Sequence, residues 1–403
     1  MKSRILFVDD DVRVLQGLQR TLHAFVDEWD MTFVESAEKA LDALAGGPFD
    51  VVVTDIRMGG MTGTELLEKV KAQYPDVIRF ILSGQSSEET MLATVGPAHQ
   101  FLSKPCDAQV LKATILRACA LREVLAEPRL QRLVSRLGSL PSPPKLYLDL
   151  VTEMKSRNPS IRRVADCIAE DVGMVARLLR LVNSAFFGFP QRISDPHHAA
   201  SLLGMNAVTS LVLSVKVFSE HDAATLKSLG LSGLMDHCLR VGNYAKAIAQ
   251  HERLDRQDVD DAFTAGLLHD VGRLILATSL PAEYKKVAEV VTKGRSSVCE
   301  AEWMTFGASH AEVGAYLLGL WGFPDSIVEA LAFHHEPRVG LHSGIRAVAT
   351  VHVADVFATQ HEPAGTPLAD DYLEAAGLAS KVDQWRVACN VPDLQAAGKA
   401  AHA

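Results

Sequence analysis

Five short runs rich in β-branched and aromatic residues, RILFV (4–8), MTFVE (31–35), DVVVTD (50–55), IRFILS (78–83) and HQFLSK (99–104), fall within the first 104 residues. From about residue 121 such runs disappear. Each of the five is followed by an amphipathic stretch: DVRVLQGLQRTLHAF, AEKALDALAG, TGTELLEKVKAQ, EETMLATVG and DAQVLKATILRAC. Strands alternating with helices in this way predict an α/β doubly wound, five-stranded parallel sheet of the flavodoxin-like kind. Ligand chemistry in such a sheet belongs at the carboxyl ends of the strands. Beyond 121, apolar residues recur at helical spacing, as in IRRVADCIAEDVGMVARLLRLVNSA and SHAEVGAYLLGLWG, so the second region is expected to be all-α.

The strand ends carry the chemistry of the first region. Asp9 and Asp10 follow ILFV, Asp55 follows VVVT and Lys104 follows FLS, so parallel strands gather three carboxylates and one ammonium in a single crevice. Crowded carboxylates suit a hard divalent cation such as Mg²⁺. The cation neutralises a phosphoryl group arriving on one of them as an aspartyl phosphate. Ser83, at the end of IRFIL, would donate a hydrogen bond to one phosphoryl oxygen, and Lys104 would pair with another. One acid at a strand end is usually a solvated loop residue; five such groups in the right strand order are not.

With these residues, the segment from 4 to about 120 resembles a response-regulator receiver domain. The resemblance implies that Asp55 is the phosphoacceptor and that Asp9, Asp10, Asp55 and the backbone carbonyl of Arg57 hold Mg²⁺. It also implies that Ser83, Phe101 and Lys104 form the phosphorylation switch, that Lys104–Pro105 is a cis peptide, and that a sensor histidine kinase is the partner. The loop after Asp55 reads RMGGMTG, with Gly59 where the family usually has proline.

Residues 121–140, LREVLAEPRLQRLVSRLGSL, read as a helical connector that Pro128 should bend. Its leucines (Leu121, Leu125, Leu130, Leu133, Leu137) are spaced to pack on a helical partner, in cis or in a homodimer. This makes the connector the expected route between the domains. PSPPK at 141–145 marks a proline-rich boundary. The expected organisation is therefore a receiver over 1–120, the connector over 121–140, a helical output domain over 141–392 and a disordered tail over 393–403.

In the helical region His237, His269, Asp270, His310, His334, His335 and Asp355 are candidate ligands. Imidazoles and carboxylates together suit one or two ions of Zn, Fe, Mn or Ni, and two metals bridged by carboxylate could serve phosphoester hydrolysis. A lone histidine is usually a hydrogen-bonded core or surface residue, and the chain has 15 of them. The adjacent pairs His269-Asp270, in LLHDVGRLIL, and His334-His335 are harder to place that way, because four polar groups in apolar surroundings need partners.

LGSLPSPPKL, IAEDVGMVARLLRLVNSAFFG, SLLGMNAVTSLVL and LLHDVGRLIL make the region from about 130 to 390 resemble the HDOD family of bacterial signalling output domains. That resemblance implies an HD-like helical domain acting on downstream signalling proteins as a regulatory or interaction module, commonly without catalytic residues. The seven ligand candidates also follow the order found in the HD-GYP phosphodiesterases. The segment after His335, EPRVGLHSGIR, has no GYP loop, and Arg273 stands where those enzymes usually have lysine, as a candidate phosphate contact. The alternative is thus a metal-dependent phosphodiesterase or phosphohydrolase, with cyclic di-GMP or a nucleotide as substrate, gated by the receiver.

A formal charge of −9 and the lack of a basic stripe or helix-turn-helix argue against nucleic acid as a partner. Six scattered cysteines with no CxxC, and acids directly after the first apolar run, suggest a reduced, cytoplasmic protein without a secretory leader. The most apolar segment, LLGMNAVTSLVLSVKVF, contains Asn206 and Lys216 and reads as a buried helix rather than a membrane span.

Overall fold

The strands β1 Ser3–Val8, β2 Trp29–Val34, β3 Val51–Thr54, β4 Ile78–Ser83 and β5 Gln100–Ser103 form one all-parallel sheet in the order β2-β1-β3-β4-β5. This computed structural model describes residues 2–83, 97–104, 106–137, 153, 158–183, 189, 192–214, 229, 231, 233–294, 296–337, 346–360 and 365–391. The central strands are buried on both faces, so VVVT and ILFV read as continuous rather than alternating apolar runs. Side-chain oxygens start the covering helices. Asp11 caps Val12–Leu22, Ser36 caps Ala37–Gly46, Thr62 forms a capping box with Glu65 on Gly63–Gln73, and Asp107 caps Ala108–Val124. The helix expected between β4 and β5 lies outside the described residues.

The last helix of the sheet domain runs to Val124, past residue 120. Pro128 does not kink a continuous connector. Leu125 and Glu127 are extended, and Pro128 opens a separate helix, Pro128–Ser135, with Glu127 as its cap. A residue preceding proline avoids the α region, and proline is well suited to the first helical position. Leu121, Leu125 and Leu130 are buried, and Leu133 and Leu137 are partly so.

The second region is helical throughout its described part, as expected. The long run IRRVADCIAEDVGMVARLLRLV is two helices, Ile161–Ala169 and Val172–Val182, because the Asp171 carboxylate caps the second by accepting from the Met174 N–H at 2.5 Å. Helix Pro196–Ser214 is kinked at Gly204. Helices Leu234–His251, Arg256–Leu268 and Ala347–Thr359 pack together, and His310–Leu320 packs with Asp325–Phe333. The proline-rich boundary at 141–145, the AFFG of NSAFFG, most of the segment after His335 and the expected tail lie outside the described residues. The six cysteines form no disulfide with one another. No helix among the described residues is long and apolar enough to cross a membrane.

Candidate phosphoacceptor and metal sites

At the carboxyl edge of the sheet, Lys104 Nζ donates to Asp55 Oδ2 at 2.8 Å and to the Asp9 carboxylate. Burial alone would lower the Lys104 pKa, but its bonds to Asp55 and Asp9 raise it. Asp55 Oδ1 accepts from the Ile56 N–H at 2.6 Å, and Asp10 Oδ2 accepts from the Gly59 N–H at 2.8 Å. A proline at 59 has no N–H to give, so glycine there supplies a bond to Asp10 that the usual family residue could not. Lys104 thus joins the Asp9 and Asp55 carboxylates as the strand ends predict, while Asp10 is held to the following loop at Gly59; the receiver domain is consistent with Mg²⁺. Arg57 lies in the loop after Asp55. Phe101 is buried in β5. Ser83 ends β4, but its side chain and Pro105, hence the expected cis peptide, lie outside the described residues.

The helical domain brings all seven ligand candidates into one cluster. His237 comes from helix Leu234–His251, and His269-Asp270 form the break before helix Val271–Ser279. His310 opens its helix, His334-His335 follow Phe333, and Asp355 lies within Ala347–Thr359 rather than at its end. The ligand atoms fall into two sets, Asp270, His310, His334 and His335, and His237, His269 and Asp355. Atoms within each set lie inside 4.8 Å of one another. Asp270 Oδ1 is 3.0 Å from His310 Nε2, and Asp270 Oδ2 is 3.8 Å from His237 Nε2. Asp355 reaches both sets as well, at 3.2 Å from His237 Nε2 and 4.0 Å from His335 Nδ1. Two carboxylates, Asp270 and Asp355, therefore stand between the sets.

The outer nitrogens settle how the rings face inward. Nδ1–H of His269 donates to the Gly266 carbonyl, that of His334 to the Leu331 carbonyl and that of His310 to Glu302 Oε2, at 2.7, 2.7 and 2.6 Å. Their Nε2 lone pairs are thereby turned into the cluster. His334 Nε2 is buried without any hydrogen-bond partner, His237 Nε2 faces His269 Nε2 at 3.1 Å, and His310 Nε2 faces His335 Nε2 at 3.0 Å. Lone pairs converging at such distances are the donor set of a cation, so the residues fit one or two transition metals.

The charges agree. Burial would raise Asp270, but His269, Arg273 and His310 hold it well below the usual carboxylate range. Asp355 is likewise lowered, against burial, by His237 and His269. Burial and neighbouring imidazoles push His334 well down and His335 to about 3. The cluster opens on a cavity of about 480 Å³ whose wall includes Arg240, Arg273 and Thr366. Arg273 Nη1 donates to Asp270 Oδ2 at 2.9 Å, so it is in the first place the counter-ion of a ligand.

Sequence reasoning missed three supporting residues. Glu302 is fully buried and accepts from both His310 N–H groups and from the Tyr284 hydroxyl. Its signal was a carboxylate four residues before Phe306, on the buried face of helix Val298–Phe306. Thr366 donates to Asp355 Oδ2 at 2.5 Å and lies 3.3 Å from His335 Nδ1. His352 uses both nitrogens structurally, Nδ1–H to the His334 carbonyl and Nε2 from the Ala369 N–H.

The sequence pattern of the response regulator receiver domain matches residues 5–116, and that of the HDOD domain matches residues 140–337. An uncharacterized protein of Treponema pallidum (strain Nichols) is 25% identical over 206 residues, covering 50% of this chain and 39% of that protein. This chain thus spans about two-fifths of the length of that relative. The transcriptional regulatory protein FixJ of Bradyrhizobium diazoefficiens is 32% identical over 142 residues, covering 34% of this chain and 68% of FixJ. Among solved structures, a virulence factor from Campylobacter jejuni subsp. jejuni shares the fold at 18% identity and a TM-score of 0.50, covering 67% of this chain and 96% of that one.

Proposed function

The chain belongs to the response-regulator family and joins a receiver domain to an HDOD domain, and from that premise we propose that phosphorylation of Asp55 by a sensor histidine kinase controls a metal-holding output domain. The output domain carries two transition-metal ions, drawn from Zn, Fe, Mn or Ni, and presents a regulated surface to a downstream signalling protein. What carries the metal reading is the set of histidines whose Nδ1–H groups are committed to outside acceptors, leaving Nε2 lone pairs converged around a buried orphan nitrogen, His334 Nε2. Asp270 and Asp355 would lie between the ions. His237 and His269 would complete one position, and His310, His334 and His335 the other. Mg²⁺ would sit with Asp9, Asp10 and Asp55. Metal analysis of the purified full chain tests the reading, and protein that is metal-free and takes up none of the four ions refutes it.

One observation favours a second reading, hydrolysis of a phosphoester. The cluster is not sealed but faces a cavity of about 480 Å³ with Arg240 and Arg273 on its wall, a place for an anionic substrate beside the ions. When bound, the metals would supply a nucleophilic hydroxide and polarise the ester. Arg240 would orient the anion, while Arg273 holds Asp270 in its ionised form. Turnover of cyclic di-GMP and simple phosphoesters by metal-loaded protein separates this from a purely regulatory output.

A further inference from the structure

The two helices His310–Leu320 and Asp325–Phe333 form a hairpin whose ends meet different partners. At its open end, His310 begins the first helix and His334-His335 directly follow the second. Three of the four residues in one ligand set therefore come from this hairpin, and none of the other set, His237, His269 and Asp355, does.

The closed end rests on the receiver. Gln100 Nε2, at the start of β5, donates to the Leu320 carbonyl at 3.1 Å, and Arg117 donates to the Phe323 carbonyl and pairs with Asp325 at 2.5 Å. Gly319 lies so close to the receiver helix that a Cβ there would come within 2.5 Å of Leu121 Cδ2. On the flank, the Arg180 guanidinium stacks 4.6 Å above the Trp321 ring and donates to the Ala98 carbonyl, two residues before β5.

β5 also leads directly into Lys104, which holds Asp55 Oδ2. The path from phosphoacceptor to ligand is thus Asp55, Lys104, a four-residue strand, Gln100, the hairpin tip and one helix of about 16 Å. Every link is a hydrogen bond or a rigid element. The connector helix Pro128–Ser135 also touches the hairpin, with Ser135 Oγ 3.5 Å from the Tyr316 hydroxyl, but its own anchor on the receiver is the Ser135 carbonyl on Arg79 and His99, at the amino-terminal edge of the sheet, the edge opposite Asp55.

We propose that hairpin 310–335 is the lever by which the phosphorylation state of the receiver sets metal affinity at the Asp270/His310/His334/His335 position, leaving the His237/His269/Asp355 position unaltered. The proposal rests on the metal reading above. Displacing Lys104 toward a phosphoryl group shifts β5, the shift is carried by Gln100 and Arg117 to residues 319–325, and the helices deliver it to three imidazoles at once. Coupling between two such sites is typically worth 5- to 150-fold in affinity.

The test titrates Zn²⁺ against a chromophoric chelator on the full chain in excess Mg²⁺, with and without beryllofluoride as the phosphoryl mimic, alongside hydrogen exchange. One of two Zn²⁺ affinities should change by at least about fivefold, with altered protection across 310–335. Gln100→Ala and Arg117→Ala should each bind two Zn²⁺ and lose the change; Asp325→Asn, at an exposed carboxylate, does the same with less risk to folding. Zn²⁺ absent in both states overturns the metal reading and the lever with it. Zn²⁺ bound with both affinities unmoved, both moved equally, or a change that survives all three variants overturns the lever alone. Exchange that changes in 108–135 and not in 310–335 assigns transmission to the connector and likewise overturns it.

Discussion

Gly272 packs so tightly against His310 that a Cβ on Gly272 would fall 1.9 Å from the His310 carbonyl oxygen. The close approach brings His310 Nε2 to Asp270 Oδ1 across two helices. Gly272→Ala must push the helices apart, an overpacking that costs about 1–3 kcal/mol or more. We expect a lower thermal midpoint and loss of Zn²⁺ from the His310 position. A variant with wild-type stability and two bound ions would show that the contact does not position the ligand.

Asp55 is the carboxylate to which Lys104 and the Ile56 N–H are both directed, between the acid pair and the end of β5. Acetyl phosphate with Mg²⁺ should label the wild type at this residue. Asp55→Asn should take no label and give an unchanged circular dichroism spectrum. Equal labelling of the variant would move the phosphoacceptor elsewhere.

Glu302 holds His310 Nδ1–H and thereby fixes which nitrogen faces the cluster. Glu302→Gln keeps an oxygen for that bond but removes the charge behind the ring, and should weaken metal binding about 10- to 100-fold with little loss of stability. Glu302→Ala leaves buried donors unsatisfied and should cost about 1–3 kcal/mol for each. Paired chelator titrations and urea melts separate the two effects.

The strand ends made the receiver legible because a parallel sheet converts sequence position directly into place: Asp9, Asp55 and Lys104 each follow an apolar run and need only the strand order to meet. The output cluster was legible as a set of residues, since His269-Asp270 and His334-His335 interrupt apolar helices where only partnered polar groups can stay. Its division into two sets was not, because that depends on how five helices cross. Glu302 escaped notice because a glutamate on a helix is ordinarily solvated, and only packing shows its carboxylate to be dry. Nothing in the run VHVAD marks Asp355 as standing between the sets; its place within Ala347–Thr359 puts it there.

His99 bears on the pH dependence of the contact between sheet and connector. Its Nδ1 accepts from the Arg79 N–H at 3.1 Å, and its Nε2 lies 2.8 Å from Arg79 Nη2 and 3.1 Å from the Ser135 carbonyl. Burial and the Arg79 charge hold its pKa well below 6.5. As pH falls through about 6.5 the unfolded ring takes up a proton and the folded ring does not. The unfolded state then binds more protons, and stability declines with falling pH by up to about 1.4 kcal/mol per unit. The contribution is fully present above 6.5 and lost below it. His99→Asn keeps an acceptor for Arg79 and should flatten the dependence of the thermal midpoint between pH 5 and 7; an unchanged slope would assign it to other histidines.

Asp270 and Asp355 give the sharpest test of the two-ion arrangement, because each approaches ligands of both sets while every histidine belongs to one. Asp270→Ala and Asp355→Ala should each lose both ions. His334→Ala should weaken only the position it shares with His310 and His335, and His269→Ala only the other. If the cluster holds no metal, these substitutions alter stability alone, Asp270→Ala by about 1–3 kcal/mol through the loss of its bonds to Arg273 Nη1 and His310 Nε2. Stoichiometry by elemental analysis after dialysis distinguishes the outcomes. One ion lost from both aspartate variants and one from both histidine variants would mean that the two sets hold their ions independently, with no carboxylate shared between them.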